Sequence, residues 1–85
     1  MPYTVEFKTS ARKVFDSLQG AIQTRISAVV DDLEENPRPS GCKKLKGRDN
    51  TYRIRVGDYR IVYEVHDAVL FVLVIGVGHR SKVYH

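Results

Sequence analysis

Cysteine is nearly missing from this chain of 85 residues, where Cys42 stands alone. A single thiol cannot close an internal disulfide, and without a second thiol nearby it does not make a structural zinc site. Cys42 is therefore expected to be a small loop or packing residue. Long apolar runs are missing too. The longest nearly unbroken one, Val69 to Val77, has nine residues, whereas a membrane-spanning helix needs about 20. No transmembrane segment and no membrane partner are expected. The opening Met1-Pro2-Tyr3-Thr4-Val5-Glu6 lacks a basic stretch followed by an apolar one, so no secretory signal is expected and the location should be cytoplasmic. The sequence also has no internal repeat and no low-complexity tract.

What is present fits one compact domain spanning residues 1–85. A hydrophobic fraction of 42% beside 28% charged residues is that of an ordinary globular protein and disfavours disorder. The formal net charge is +4, and its distribution is uneven. Residues 1–36 hold four basic and six acidic side chains, while residues 37–85 hold ten basic and four acidic. The C-terminal half thus calls for a polyanionic partner, either nucleic acid or an acidic peptide.

Tyr3, Val5 and Phe7 alternate with Thr4, Glu6 and Lys8, the period-two pattern of a strand with one buried face. Ser10 offers an N-cap hydroxyl, and Ala11, Val14, Phe15 and Leu18 recur at helical spacing before Gly20. A second apolar stripe, Ile22, Ile26, Val29, Val30 and Leu33, runs to Asn36-Pro37, where the proline disfavours helix in the residue before it. The two helices should form a hairpin. Asp31, Asp32, Glu34 and Glu35 crowd the end of the second, a solvated helix end against the macrodipole or a dock for a basic segment. Residues 38–50 read as a loop, rich in Pro, Ser, Gly, Lys and Arg. Three strands should follow: Thr51 to Val56, Tyr59 to Val65, and about Val69 to Val77. The last is apolar on both faces, so it should be central or covered on each side. The expected fold class is α+β, in the order β-α-α-β-β-β, with a three-stranded antiparallel meander completing one mostly antiparallel sheet.

The first two strands of the meander carry the most informative pattern. Tyr52, Ile54 and Val56 alternate with Arg53 and Arg55, so the arginines share the face opposite the core. Gly57-Asp58 suits a two-residue turn of type II′. That turn sets Val56 opposite Tyr59, Arg55 opposite Arg60, and Arg53 opposite Val62. Like charges facing one another weaken a sheet by a fraction of a kcal/mol. A bound anion offsets that repulsion, and the arginine fork suits phosphate. The alternative is a flat solvated face, partly neutralised by Glu64 or Asp58.

At this point Lys44-Leu45-Lys46-Gly47, the run from Tyr52 to Tyr63, Val77-Gly78-His79-Arg80 and Val83-Tyr84 together resemble the RelE family of toxins. The resemblance implies a RelE-like fold and an endoribonuclease that cuts messenger RNA in the ribosomal A site. It implies no metal or other cofactor. The implied partners are the ribosome with its message and a cognate antitoxin, in a toxin–antitoxin hetero-oligomer. The implied catalytic positions are Arg53, Arg55, Arg60, Arg80 and Tyr84. The implied RNA contacts are Lys43, Lys44, Lys46, Arg48, His79 and Lys82.

By the same resemblance, the RNA 2′-hydroxyl attacks the adjacent phosphate and leaves a 2′,3′-cyclic phosphate and a 5′-hydroxyl. Arg60 and Arg80 would hold the phosphate, and Arg53 and Arg55 would position the backbone and protonate the leaving oxygen. Tyr84 would stack on a base or move a proton. Arg53 and Arg55 stand where well-studied members have lysines, and arginine is a poor base. The general base is left between Tyr84, His79 and none. Two other functions are compatible with the same residues: a ParE-like toxin that binds DNA gyrase, and a catalytically weak module that binds RNA or antitoxin.

Overall fold

The computed structural model describes residues 2–79. Strand β1 (Thr4–Phe7) leads into helices α1 (Thr9–Asp16) and α2 (Gly20–Asp32). Four strands follow: β2 (Lys43–Lys44), β3 (Thr51–Val56), β4 (Tyr59–His66) and β5 (Phe71–His79). They form one sheet in the order β1-β5-β4-β3-β2. Only the β1–β5 pairing is parallel. The α+β architecture and the mostly antiparallel sheet agree with the sequence, and β5 lies inside the sheet, as its two apolar faces require.

Three local expectations need correction. The stretch 38–50 is not all loop, because Lys43 and Lys44 pair with Arg53 and Tyr52 as an edge strand. Two lysines give no alternating apolar signal, and the pairing depends on tertiary contact, including the Leu45 N–H donated to the Thr51 carbonyl at 2.9 Å. Ser10 is not the N-cap of α1. The Lys8 N–H is held by the Val74 carbonyl at 2.8 Å, which keeps the chain extended through Lys8, and the helix begins directly at Thr9. Helix α2 ends at Asp32 rather than near Asn36. Buried Leu33 continues the apolar stripe through a tighter turn, in which the Glu34 and Glu35 amides bond back three residues to Asp31 and Asp32.

The helices cover one face of the sheet only. Ile26 and Leu33 meet Ile61, Tyr63, Val72 and Val74 in the core, all fully buried. A bulge at Ile75 shifts the β4–β5 register: Val62 pairs with Gly76, but Tyr63 pairs with Val74. Val72 and Val74 face the core before the bulge and Val77 after it. Gly76 and Gly78 are thereby turned to the open face, opposite Val62 and Arg60.

Candidate nucleic-acid interface

The β3–β4 hairpin fixes the centre of the open face. Gly57 has φ +60°, and among the described residues other than glycine only Leu70 shares a positive φ. A positive angle at the first turn position alone is what a type II′ turn needs; type I′ needs two. The register follows as expected: Arg55 opposite Arg60 and Arg53 opposite Val62. The Arg55 Nε–H also bonds the Gly57 carbonyl at 3.3 Å, tying that side chain to its own turn.

Strand β2 adds the fourth cation. Lys43 is the direct partner of Arg53, so their side chains leave the sheet on the same side. Gly41, Lys43, Arg53, Arg55 and Arg60 line one concavity of about 280 Å³. Among the described residues, no acidic side chain lines it. A wider groove of about 560 Å³ lies between β1 and the helices, but Glu6, Asp31 and Glu34 stand in its wall. For a polyanion the smaller hollow is the matching one, since charge rather than volume decides electrostatic capture.

The loop that delivers Lys43 is clamped at its start. Arg38 donates to both carboxylate oxygens of Asp67, at 3.1 and 2.6 Å, and to the Tyr52 hydroxyl at 2.9 Å. Its guanidinium lies over the Tyr52 ring, 5.1 Å from the centroid. The Tyr3 hydroxyl donates at 2.6 Å to Asp67 Oδ1, the oxygen that Arg38 reaches at 3.1 Å. These bonds, Arg38 first and Tyr3 second, hold the Asp67 carboxyl down to about 2. The carboxylate in turn raises Arg38 and Tyr3 above their ordinary ranges. One residue earlier, the Pro37 carbonyl accepts from the buried Tyr63 hydroxyl at 2.8 Å, and burial pushes Tyr63 up. Arg38 and Asp67 are 29 residues apart, and no local spacing in the sequence announces the pair.

Lys44, Lys46, Arg48 and His79, the other expected residues that the structure describes, are placed apart from this hollow. Lys44 pairs with Tyr52, whose ring stacks on Tyr63 on the core side. Lys46 and Arg48 are exposed in the turn after β2. His79 is brought by the Ile75 bulge to the helix side of the sheet. It pairs with Tyr59, their rings edge to face at 5.6 Å, beside Val14 and Leu18. His66 and Glu64 bond one another at 2.9 Å. Arg80, Lys82 and Tyr84 lie outside the described residues. Among the described residues, no cluster of three or more His, Cys, Asp or Glu side chains could hold a metal, and no helix is long and apolar enough to cross a membrane.

The chain is similar to a well-defined group of proteins. A family model described as the ParE toxin of the type II toxin–antitoxin system parDE matches residues 3–84. Toxin RelG of Mycobacterium tuberculosis is 34% identical over 88 residues, a match covering 99% of this chain and 98% of RelG. The mRNA interferase toxin RelE of Escherichia coli is 32% identical over 88 residues, covering 99% of this chain and 92% of that toxin. Among solved structures, a chain of the archaeal RelE–RelB complex from Pyrococcus horikoshii superposes with a TM-score of 0.85 at 30% identity. That superposition covers 98% of this chain and all of the other.

Proposed function

The chain belongs to the RelE/ParE superfamily of type II toxin–antitoxin toxins, and we propose that it acts as an mRNA interferase, an endoribonuclease that cuts message in the ribosomal A site. The observation that carries this reading is the hollow of Lys43, Arg53, Arg55 and Arg60, four cations converging with Arg55 set directly against Arg60 across the hairpin, a like-charge pairing that weakens the sheet and that a bound phosphate offsets. The working unit is one domain over residues 1–85, acting in the cytoplasm, where ribosomes and message are. A RelB-like antitoxin neutralises it in a hetero-oligomer, as the Pyrococcus RelE is found with RelB.

The chemistry follows from the side chains available. The scissile phosphate sits against the guanidinium groups of Arg55 and Arg60, which accept its charge and stabilise the extra charge on its non-bridging oxygens. Losing one such donor costs a factor of about 10²–10³ in rate. Arg53, beside them on β3, holds the neighbouring backbone. Arg80 and Tyr84 complete the set by resemblance, Arg80 on the phosphate and Tyr84 on a base or a proton. The 2′-oxygen attacks in line, and a cyclic phosphate and a 5′-hydroxyl result.

A second reading, a gyrase-directed toxin, is favoured by the ParE description of the matched family model. One pair of assays separates the two. Purified protein added to programmed ribosomes is expected to give discrete cuts in message, with gyrase supercoiling unaffected. Intact message together with blocked supercoiling reverses the assignment.

A further inference from the structure

We infer that Lys43 is a catalytic residue of this site, the acid that gives a proton to the 5′-oxygen as the RNA backbone breaks; the inference rests on the nuclease reading above. The side chains lining the hollow are Lys43, Arg53, Arg55 and Arg60, with Gly41 contributing backbone only. A guanidinium keeps its proton in proteins, whereas a lysine ammonium can release one and recover it. Among the described lining residues, Lys43 is therefore the one able to move a proton. Three arginines explain phosphate binding and leave proton delivery to the fourth group.

The placement of Lys43 is specific. Strand β2 has only two residues, and the pairing of Lys43 with Arg53 and Lys44 with Tyr52 sends just one lysine to the arginine face. The backbone around it is pinned. Gly41 takes φ +94°, which turns the chain into the strand. The Cys42 N–H bonds the Pro39 carbonyl at 3.1 Å and the Leu45 N–H bonds the Thr51 carbonyl at 2.9 Å. The Arg38–Asp67 bonds hold the start of the same segment. Lys43 has no ion pair among the described residues, so its ammonium is not committed to a carboxylate.

The step balances as follows. A bond forms between the 2′-oxygen and phosphorus while the bond from phosphorus to the 5′-oxygen breaks. The Lys43 ammonium gives its proton to that 5′-oxygen. The 2′-hydroxyl proton passes to water, and the neutral Lys43 amine takes a proton back from water. The products are the 2′,3′-cyclic phosphate and the 5′-hydroxyl, with the enzyme unchanged.

The test uses the full chain on programmed ribosomes with two messages, one natural and one carrying sulfur in place of the bridging 5′-oxygen at the cut site. Lys43→Arg keeps the charge and the hydrogen-bond donors but removes the exchangeable acid. On the natural message it is expected to lower the single-turnover rate about 10²-fold or more, with half-saturation unchanged within about threefold. A thiolate leaves without protonation, so on the sulfur message the variant is expected to cut within about threefold of the unsubstituted protein. Unimpaired cutting of the natural message by Lys43→Arg overturns the assignment. Equal loss on both messages also overturns it, since that marks a positioning or charge role. If the unsubstituted protein leaves both messages whole, the nuclease reading itself fails, and the inference falls with it for that separate reason.

Discussion

Arg55→Ala distinguishes an arginine kept for folding from one kept for a ligand, because the two roles predict opposite pairings of stability and activity. Arg55 is exposed and stands directly across from Arg60. Truncating it removes a cross-strand repulsion of roughly 0.2–1 kcal/mol. It also removes the 3.3 Å bond to the Gly57 carbonyl, worth about 0.5 kcal/mol at a solvated position. The two nearly cancel, so urea denaturation should give a stability within about 0.5 kcal/mol of the parent and an unchanged m-value. Cleavage on programmed ribosomes should nevertheless fall about 10²–10³-fold, the cost of one lost donor to a charged transition state. Binding to single-stranded RNA should lose about one phosphate contact, read as a salt slope shallower by about 0.7. The reverse result, a loss above about 1 kcal/mol with cleavage intact, would refute the assignment of this face to phosphate.

Two further predictions concern the scaffold. The Asp67 carboxyl is held down to about 2 in the folded state, below the ordinary value of about 3.9 for the unfolded chain. Its contribution is therefore complete above that ordinary value and is lost as pH falls towards about 2. The stability gap between the parent and Asp67→Asn, measured by thermal melts, should be present at neutral pH and close in acid; a gap constant with pH contradicts the assigned bonds. Gly57→Ala places a Cβ at φ +60°, 3.2 Å from the Arg25 Nη1. The Arg25 tip can swing aside, but the backbone strain stays, so a loss of about 1–2 kcal/mol is expected in urea denaturation. An unchanged midpoint would mean that the turn tolerates a side chain.

Much of the fold was legible because its signals are local. The span of β3 follows from three apolar residues alternating with polar ones, and Gly57-Asp58 set the register that brings Arg55 to Arg60. The failures were all tertiary in origin. Ser10 has the chemistry of an N-cap, yet a bond from Lys8 to Val74 on β5 decides where α1 begins. Strand β2 carries no apolar pattern at all, and its pairing to β3 is what turns a lysine in a basic loop into a wall of the arginine hollow.

The position of His79 shows why a site is harder to read than a strand. Val72 and Val74 face the core, and unbroken alternation from them would point Gly76 and Gly78 inward and turn His79 out towards the arginines. The extra residue Ile75 reverses that phase. Val77 returns to the core, and the outward places opposite Val62 and Arg60 go to Gly76 and Gly78. Neither glycine has a side chain to stand beside those of Val62 and Arg60. A Cβ on Gly76 would lie only 3.6 Å from that of Val62, an ordinary contact, but a longer side chain there would rise beside the arginines. One inserted residue thus leaves open face next to the cations and sends an imidazole to the helix side. A period-two reading of the last strand cannot contain that result, because the bulge is set by how β5 pairs with β4 and not by the composition of β5.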